Sequence, residues 1–265
     1  MIALLALVLH SCIKEDRSKC PCYLHLDLSR VDSNYIHTLD LMFDEDRAGL
    51  WWMPVERSYI GDTLIVPVNK SEFDFCAWGN LAPEAIDPYR RSICPFAPKD
   101  TLWSYSRRIV TRCEDVYVTV VEQREHIPVT IIVRGNTAGI SNVRPVIENV
   151  SREFTFDGSA SGTLGSVTAA VAREADVPAG QYIFHTLLYT QRSATDANLI
   201  LHYDSSGEAR KVEYPVGEML LELGEDISMR DQNPIIIDLV FGSSSVFLTL
   251  KVADWQRHSV IEITY

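Results

Sequence analysis

Along most of the chain the hydrophobic positions recur with a period of two. In Tyr23-Leu24-His25-Leu26-Asp27-Leu28 the three leucines share one face. The same alternation runs through Leu64, Val66 and Val68, through Phe73, Phe75 and Ala77, and through Val116, Val118 and Val120. It returns at Ile127 to Val133, Tyr182 to Leu188, Leu199 to Tyr203, Ile235 to Phe241, Val246 to Val252 and Ile261 to Tyr265. Alternation rich in β-branched and aromatic residues marks half-buried strands. Turn-forming clusters separate the runs at Asp157-Gly158-Ser159, Asp204-Ser205-Ser206-Gly207 and Gly242-Ser243-Ser244-Ser245. Helical periods are few, and the pattern predicts short helices only within 81–89 and 137–150, the second limited by Pro145. The stretch 80–99, with four prolines, reads as a long ordered loop.

Many short strands joined by turns predict an all-β chain of antiparallel sandwiches. One such sandwich uses about 100 residues, so the 265 residues hold two. The polar stretch Glu122-Gln123-Arg124-Glu125-His126 is the expected seam, with 137–150 the competing one, and no internal repeat is visible. The expected domains are residues 22–125 and 126–265.

The first residues carry a different signal. Met1 to Leu9 is an unbroken apolar run, too short to span a bilayer and suited to the core of a secretory signal. Leu9-His10-Ser11-Cys12 resembles a lipobox, in which cleavage before Cys12 leaves a thiol that carries lipid. The small Ser11 leaves the scissile bond unhindered, whereas His10 is bulky for its position. No Lys or Arg precedes the apolar run, which points to a start upstream of Met1. Residues 1–11 are thus read as a lipoprotein signal and 12–21 as a lipidated, polar tether. The acidic cluster Glu15-Asp16 beside Cys12 resembles a surface-export signal of Bacteroidota lipoproteins, so the expected place is the outer membrane, lipid-anchored and facing outward.

Composition narrows the chemistry. With 46% hydrophobic and 23% charged residues the chain can bury large cores. Its net charge of −12 argues against nucleic acid as a partner. Besides Cys12 there are Cys20, Cys22, Cys76, Cys94 and Cys113, an odd number for pairing. A bridge from Cys94 to Cys20 or Cys22 is the first expectation, with connectivity open. No cysteine or histidine set has zinc spacing.

The search for catalysis is negative. In Gly158-Ser159-Ala160-Ser161-Gly162 the nucleophile position of an elbow motif is Ala160. Asp44-Glu45-Asp46-Arg47-Ala48-Gly49 opens like a calcium loop, but lacks the later ligands and reads as a charged hairpin turn. The histidines are scattered, and the carboxylates do not single out an acid–base pair. The expectation is no enzyme, no metal and no cofactor. Trp51-Trp52 is the aromatic pair that could stack on a sugar. Consecutive strand positions face opposite sides, so one enters the core and the other alone could meet a ligand. Arg90-Arg91 and Arg107-Arg108 read as isolated basic doublets on solvated surface.

Three stretches bear a family resemblance. Cys12-Ile13-Lys14-Glu15-Asp16, followed by Cys20-Pro21, resembles the opening of FimB-type fimbrial anchor lipoproteins of Bacteroidota. Leu64-Ile65-Val66-Pro67 leading to Phe73 through Trp78-Gly79 is similar to a strand pair of that family, with Glu72 where glycine is common. Val252-Ala253-Asp254-Trp255 resembles its closing strand. The resemblance implies two transthyretin-like Greek-key β-sandwiches on a lipid tether, without catalysis, at the base of a fimbrium or in a minor subunit. It implies fimbrial subunits as partners, joined by β-strand pairing, with the C-terminal sandwich offering the open edge. A glycan-binding surface lipoprotein of a nutrient-uptake locus is the alternative, and a secreted hydrolase the remote third.

Overall fold

A computed structural model describes residues 20–45, 49–95, 101–172, 180–243, 245–254 and 259–264. The lipobox, Cys12, most of the tether and Trp255 lie outside the described residues, as do positions 46–48 of the charged turn.

The alternating runs are strands. β1 (Cys22–Asp27) lies between β4 (Thr63–Val68), antiparallel to it, and β9 (Asp115–Thr119), parallel to it. Facing this sheet are β2 (Leu39–Glu45), β3 (Gly49–Val55), β5 (Glu72–Gly79), β8 (Trp103–Val110) and β10 (Gln123–Arg124). Their order is β10-β8-β5-β2-β3, antiparallel throughout. Leu24 and Leu26 from one sheet meet Phe43, Phe73, Phe75 and Ile109 from the other, and these enclose the first core.

A second sandwich starts at His126. β11 (His126–Gly135) lies between β15 (Tyr182–Tyr189), antiparallel, and β18 (Ile235–Phe241), parallel. The facing sheet holds β12 (Ile140–Thr155), β13 (Ala160–Thr168), β16 (Asn198–Ser205) and β17 (Glu208–Tyr214). Between the sheets Ile131, Phe184, Leu199, Leu239 and Leu250 form a separate core.

The two sandwiches repeat one topology. In the first, β4-β1-β9 faces β3-β2-β5-β8; in the second, β15-β11-β18 faces β13-β12-β16-β17, with every pair in the same sense. The second adds to its parallel edge a hairpin of β19 (Val246–Asp254) and β20 (Ser259–Thr264), and beside β15 the short β14 (Ala170–Val171).

Two predicted helices are absent. Within 81–89 there is a single 3-10 turn, Pro83–Ala85, and then a strand. Residues 140–155 are β12, whose two register shifts against β13 disturb the alternation that would have announced it. The proline-rich stretch carries β6 (Ile86–Asp87) and β7 (Ser92–Ile93), and β7 pairs with the end of β12. A loop of the first sandwich therefore extends a sheet of the second. A helix not foreseen, α1 (Val216–Glu222), buries Val216, Met219 and Leu220 on one face, the i, i+3, i+4 spacing of an amphipathic turn. Gly224, at φ +85°, follows it in the left-handed conformation that ends helices.

The turn clusters behave as read. Ser206 and Gly207, at φ +53° and +83°, join β16 to β17 with both central residues left-handed, the geometry of a type I′ hairpin. Of the tryptophan pair, Trp51 stacks on Phe43 with centroids 3.9 Å apart, and Trp52 stands 47% exposed on the opposite face of β3.

Candidate functional site

Two kinds of surface could carry function: the open edges of the sheets, and the junction between the sandwiches.

An edge strand offers unpaired backbone groups to another chain unless something blunts it. Pro54 interrupts β3 and Pro67 interrupts β4, each removing a donor. On β17 ion pairs cover the surface, Arg210 with Glu208 and Lys211 with Glu213 (2.5 Å). β14 has two residues. The edges without these devices are β9, reading Asp-Val-Tyr-Val-Thr, β20, reading Ser-Val-Ile-Glu-Ile-Thr, and β13, whose pairing with β12 is broken by two register shifts. On β9, Val120 donates its N–H to Asp27 and Glu114 accepts from Tyr23. Parallel pairing then turns the backbone groups of Tyr117 away from β1. In the second sandwich the strand matching β9 is β18, and β19 covers it; among the described residues nothing covers β9.

The junction is built around buried charge. Glu125, at 0% exposure, lies between β10 and β11. Arg230 Nε stands 2.5 Å from its Oε1; the Thr190 hydroxyl donates at 2.7 Å and the Ser104 hydroxyl donates as well. Burial pushes the Glu125 carboxyl above its ordinary value, and the guanidinium and hydroxyls pull it back. Arg230 also donates to the Asp157 carbonyl (2.7 Å) and to Gln123 (3.2 Å), and so ties three segments together. A side chain at Gly158 would collide with this guanidinium. Three residues before Glu125, the Glu122 carboxyl oxygens are buried without a partner, and burial raises this group to about 8. His126 is buried too; burial lowers it to about 4, with Nδ1 3.0 Å from the Leu102 carbonyl. Beside these groups lies an apolar cluster shared by both halves, in which Met42, Cys76 and Trp78 meet Phe154, Phe156 and Tyr189. The Trp78 indole donates to the Phe156 carbonyl at 2.9 Å.

At the outer rim of this junction is a cleft of about 580 Å3. Its wall is formed by β2, β3, β5 and β8, opposed by Thr155 at the end of β12 and by Phe156 and Asp157 just after it. Both arginine doublets border it: the two are not isolated from each other, and all four arginines are exposed, as their reading as solvated surface has it. Arg91 meets Asp44 at 3.0 Å, Arg108 meets Asp74 at 3.0 Å, and Arg90 lies 3.6 Å from Asp87. Trp52 is on the same face: it pairs across the strand with Met42 and follows Leu50 by two residues, and both of these line the cleft.

The remaining predicted positions lie apart. Cys20 and Cys113 are exposed, Cys22 and Cys76 buried, Cys94 half-buried, and all five are free thiols. Cys22 opens β1 in the core of the first sandwich, whereas Cys94 follows β7 on a sheet of the second, so the fold does not join them. Burial raises the Cys76 thiol to about 12, which keeps it unreactive. His25 stacks on Tyr117 and bonds to Asp115 at 2.8 Å. Among the described residues no three metal-ligating side chains gather.

No family model matches the chain, and no curated protein matches it. Solved structures do. The fimbrial anchor protein Mfa2 from Porphyromonas gingivalis aligns with a TM-score of 0.65 over 93% of this chain and 97% of that one, at 10% identity. A Bacteroides thetaiotaomicron protein described provisionally as polysaccharide-binding aligns at 0.64 over 91% and 98%, with 13% identity. A Bacteroides ovatus protein described provisionally as an adhesin aligns at 0.60 over 95% and 97%, with 8% identity. The chain shares the fold of these proteins along nearly its whole length.

Proposed function

We propose that this chain is a non-enzymatic subunit of a surface fimbrium, of the FimB and Mfa2 type, held to the outer membrane by lipid on Cys12. One observation carries the reading. The same chain combines an opening that resembles fimbrial anchor lipoproteins with a fold shared, over 93% of its length, with a fimbrial anchor protein. Neither depends on the other, since the motif lies in residues 12–21 and the fold in the rest.

In this reading Cys12 carries diacylglycerol and an amide-linked acyl chain, and together these exceed the two signals that stable anchoring needs. The tether then places the first sandwich near the membrane and the second outward. β20 is the edge through which the second sandwich receives an extended segment of a fimbrial subunit. Backbone hydrogen bonds hold the joint, and alternate side chains set its register. Its outer side carries neither proline nor a covering strand among the described residues, which supports the assignment.

Copurification from cells expressing the neighbouring fimbrial genes tests the reading. Wild-type chain is expected to bring down a fimbrial subunit from the membrane fraction, and Cys12→Ala is expected to release chain and subunit together into the medium. Single cysteines along β20 should crosslink to that subunit in an every-second-residue pattern. Absence of any fimbrial subunit from the complex would refute the assignment, and crosslinks confined to β9 would move the joint to the first sandwich.

A further inference from the structure

We propose that the cleft at the junction, with Trp52 on its rim, binds a neutral glycan. The inference stands apart from the assembly role, because the cleft shares no residue with β9 or β20.

The charge balance selects the ligand. Four guanidiniums border the cleft, those of Arg90, Arg91, Arg107 and Arg108. Against them stand Asp44, Asp74 and Asp157 on its walls, and Asp87, 3.6 Å from Arg90. Glu72, 3.8 Å from Arg108, adds a fifth carboxylate; four positive and five negative charges give no net positive field to draw an anion, and the chain as a whole carries −12. An acidic peptide or polyanionic sugar gains nothing there. What the pairs do offer is a dense set of directional hydrogen-bond groups. Arg91 reaches one oxygen of Asp44 through one nitrogen, which leaves N–H donors and carboxylate lone pairs side by side for a ligand. Donor and acceptor set side by side complement a pair of neighbouring hydroxyls, each of which both donates and accepts.

The aromatic rim completes the site. Trp52 is exposed on β3, as is Pro54 two residues on, and its neighbours Met42 and Leu50 lead from it into the cleft. A flat indole at the mouth of a polar trough gives a pyranose a surface for its C–H face while its hydroxyls reach the charged walls. The volume of about 580 Å3 falls within the usual range for small-ligand sites, and its place between two domains is a common one. Trp51, stacked on Phe43, cannot take this part.

The experiment is a printed array of neutral oligosaccharides (gluco-, manno-, xylo- and galacto-series) and acidic ones (uronate, sulfated and sialylated), probed with the full chain. Calorimetry on the best neutral hit then compares variants. Trp52→Ala is expected to bind about tenfold more weakly with an unchanged thermal midpoint. The joint variant Asp74→Asn with Arg108→Gln should weaken binding as well. Trp51→Phe, which keeps the core stack, should bind as wild type. An array with no neutral hit, a preference for acidic sugars, or a Trp52→Ala chain that binds undiminished would each overturn the proposal. A chain that recovers a fimbrial subunit yet binds no glycan fails this inference alone.

Discussion

Replacing Arg230 by methionine isolates the buried charge of the junction. The variant keeps an unbranched apolar stem and removes the guanidinium whose Nε stands 2.5 Å from Glu125. The carboxylate left behind is at 0% exposure, with only the Ser104 and Thr190 hydroxyls to hold it. Breaking a buried ion pair from one side costs about 3–5 kcal/mol. The two surviving hydroxyl bonds put the cost near the lower bound. Loss of the donor to the Asp157 carbonyl adds about 1 kcal/mol, and the exposed contact with Gln123 little. The sum is about 4 kcal/mol, which for a chain of this size lowers the thermal midpoint by about 8–16 °C.

The pH dependence of that deficit identifies its cause. Burial already raises the Glu125 carboxyl, and without Arg230 it rises further. A carboxyl raised in the folded state takes up a proton more readily folded than unfolded. The penalty of the variant is therefore largest in alkali and fades as pH falls toward the ordinary value of 4.5. Denaturant melts followed by tryptophan fluorescence across this range measure it. Adding Glu125→Gln to Arg230→Met should recover part of the loss, since the orphaned charge is gone. A deficit below about 1 kcal/mol, or one equal at all pH values, would refute the argument that buried charge organises this junction.

Three further outcomes are expected. Glu122, raised to about 8 by burial, favours the folded state fully below 4.5 and progressively less as pH climbs through 8; Glu122→Gln should remove that decline, so its advantage in melts grows with pH. Gly217→Ala should destabilise by about 1–3 kcal/mol although it lies in α1, because the new methyl would meet the Ala194 and Thr195 carbonyl oxygens at 2.6 and 3.0 Å, outweighing a helix-propensity gain of about 1 kcal/mol. Trp78→Phe should cost about 2 kcal/mol through a void and a lost donor to the Phe156 carbonyl, and calorimetry should then resolve two transitions in place of one.

What the sequence disclosed followed from how each strand is exposed. β1, β4 and β11 have one face in a core and one more open, and their alternation announced them. β2 did not alternate, because Leu41 and Phe43 enter the first core while Met42 enters the cluster at the junction. β12 was mistaken for helix since its bulges break the period and Pro145 appeared as a helix limit. α1 had readable signals, apolar residues at 216, 219 and 220 and a glycine at 224, but it is only seven residues long. The exclusion of one tryptophan from the core came directly from strand geometry. The cleft had no local signal: its walls come from four strands of one sandwich, the 80–95 loop and the end of β12 with the turn after it, and only folding brings Arg91 to Asp44. The duplication was equally hidden, since strand order can persist where no side chain does.

The pairing of β7 with β12 has a mechanical consequence. A chain fixed at its amino end and pulled through its second sandwich would not hang from residues 120–126 alone. The Asn80–Pro95 excursion is a second strut that bypasses them, secured by the β7–β12 bridge and clamped by Trp78 and Arg230. Tension would divide between two parallel routes, so extension of the short connector would have to wait for rupture of the other. The molecule should behave under force as one stiff rod, not as two beads on a string.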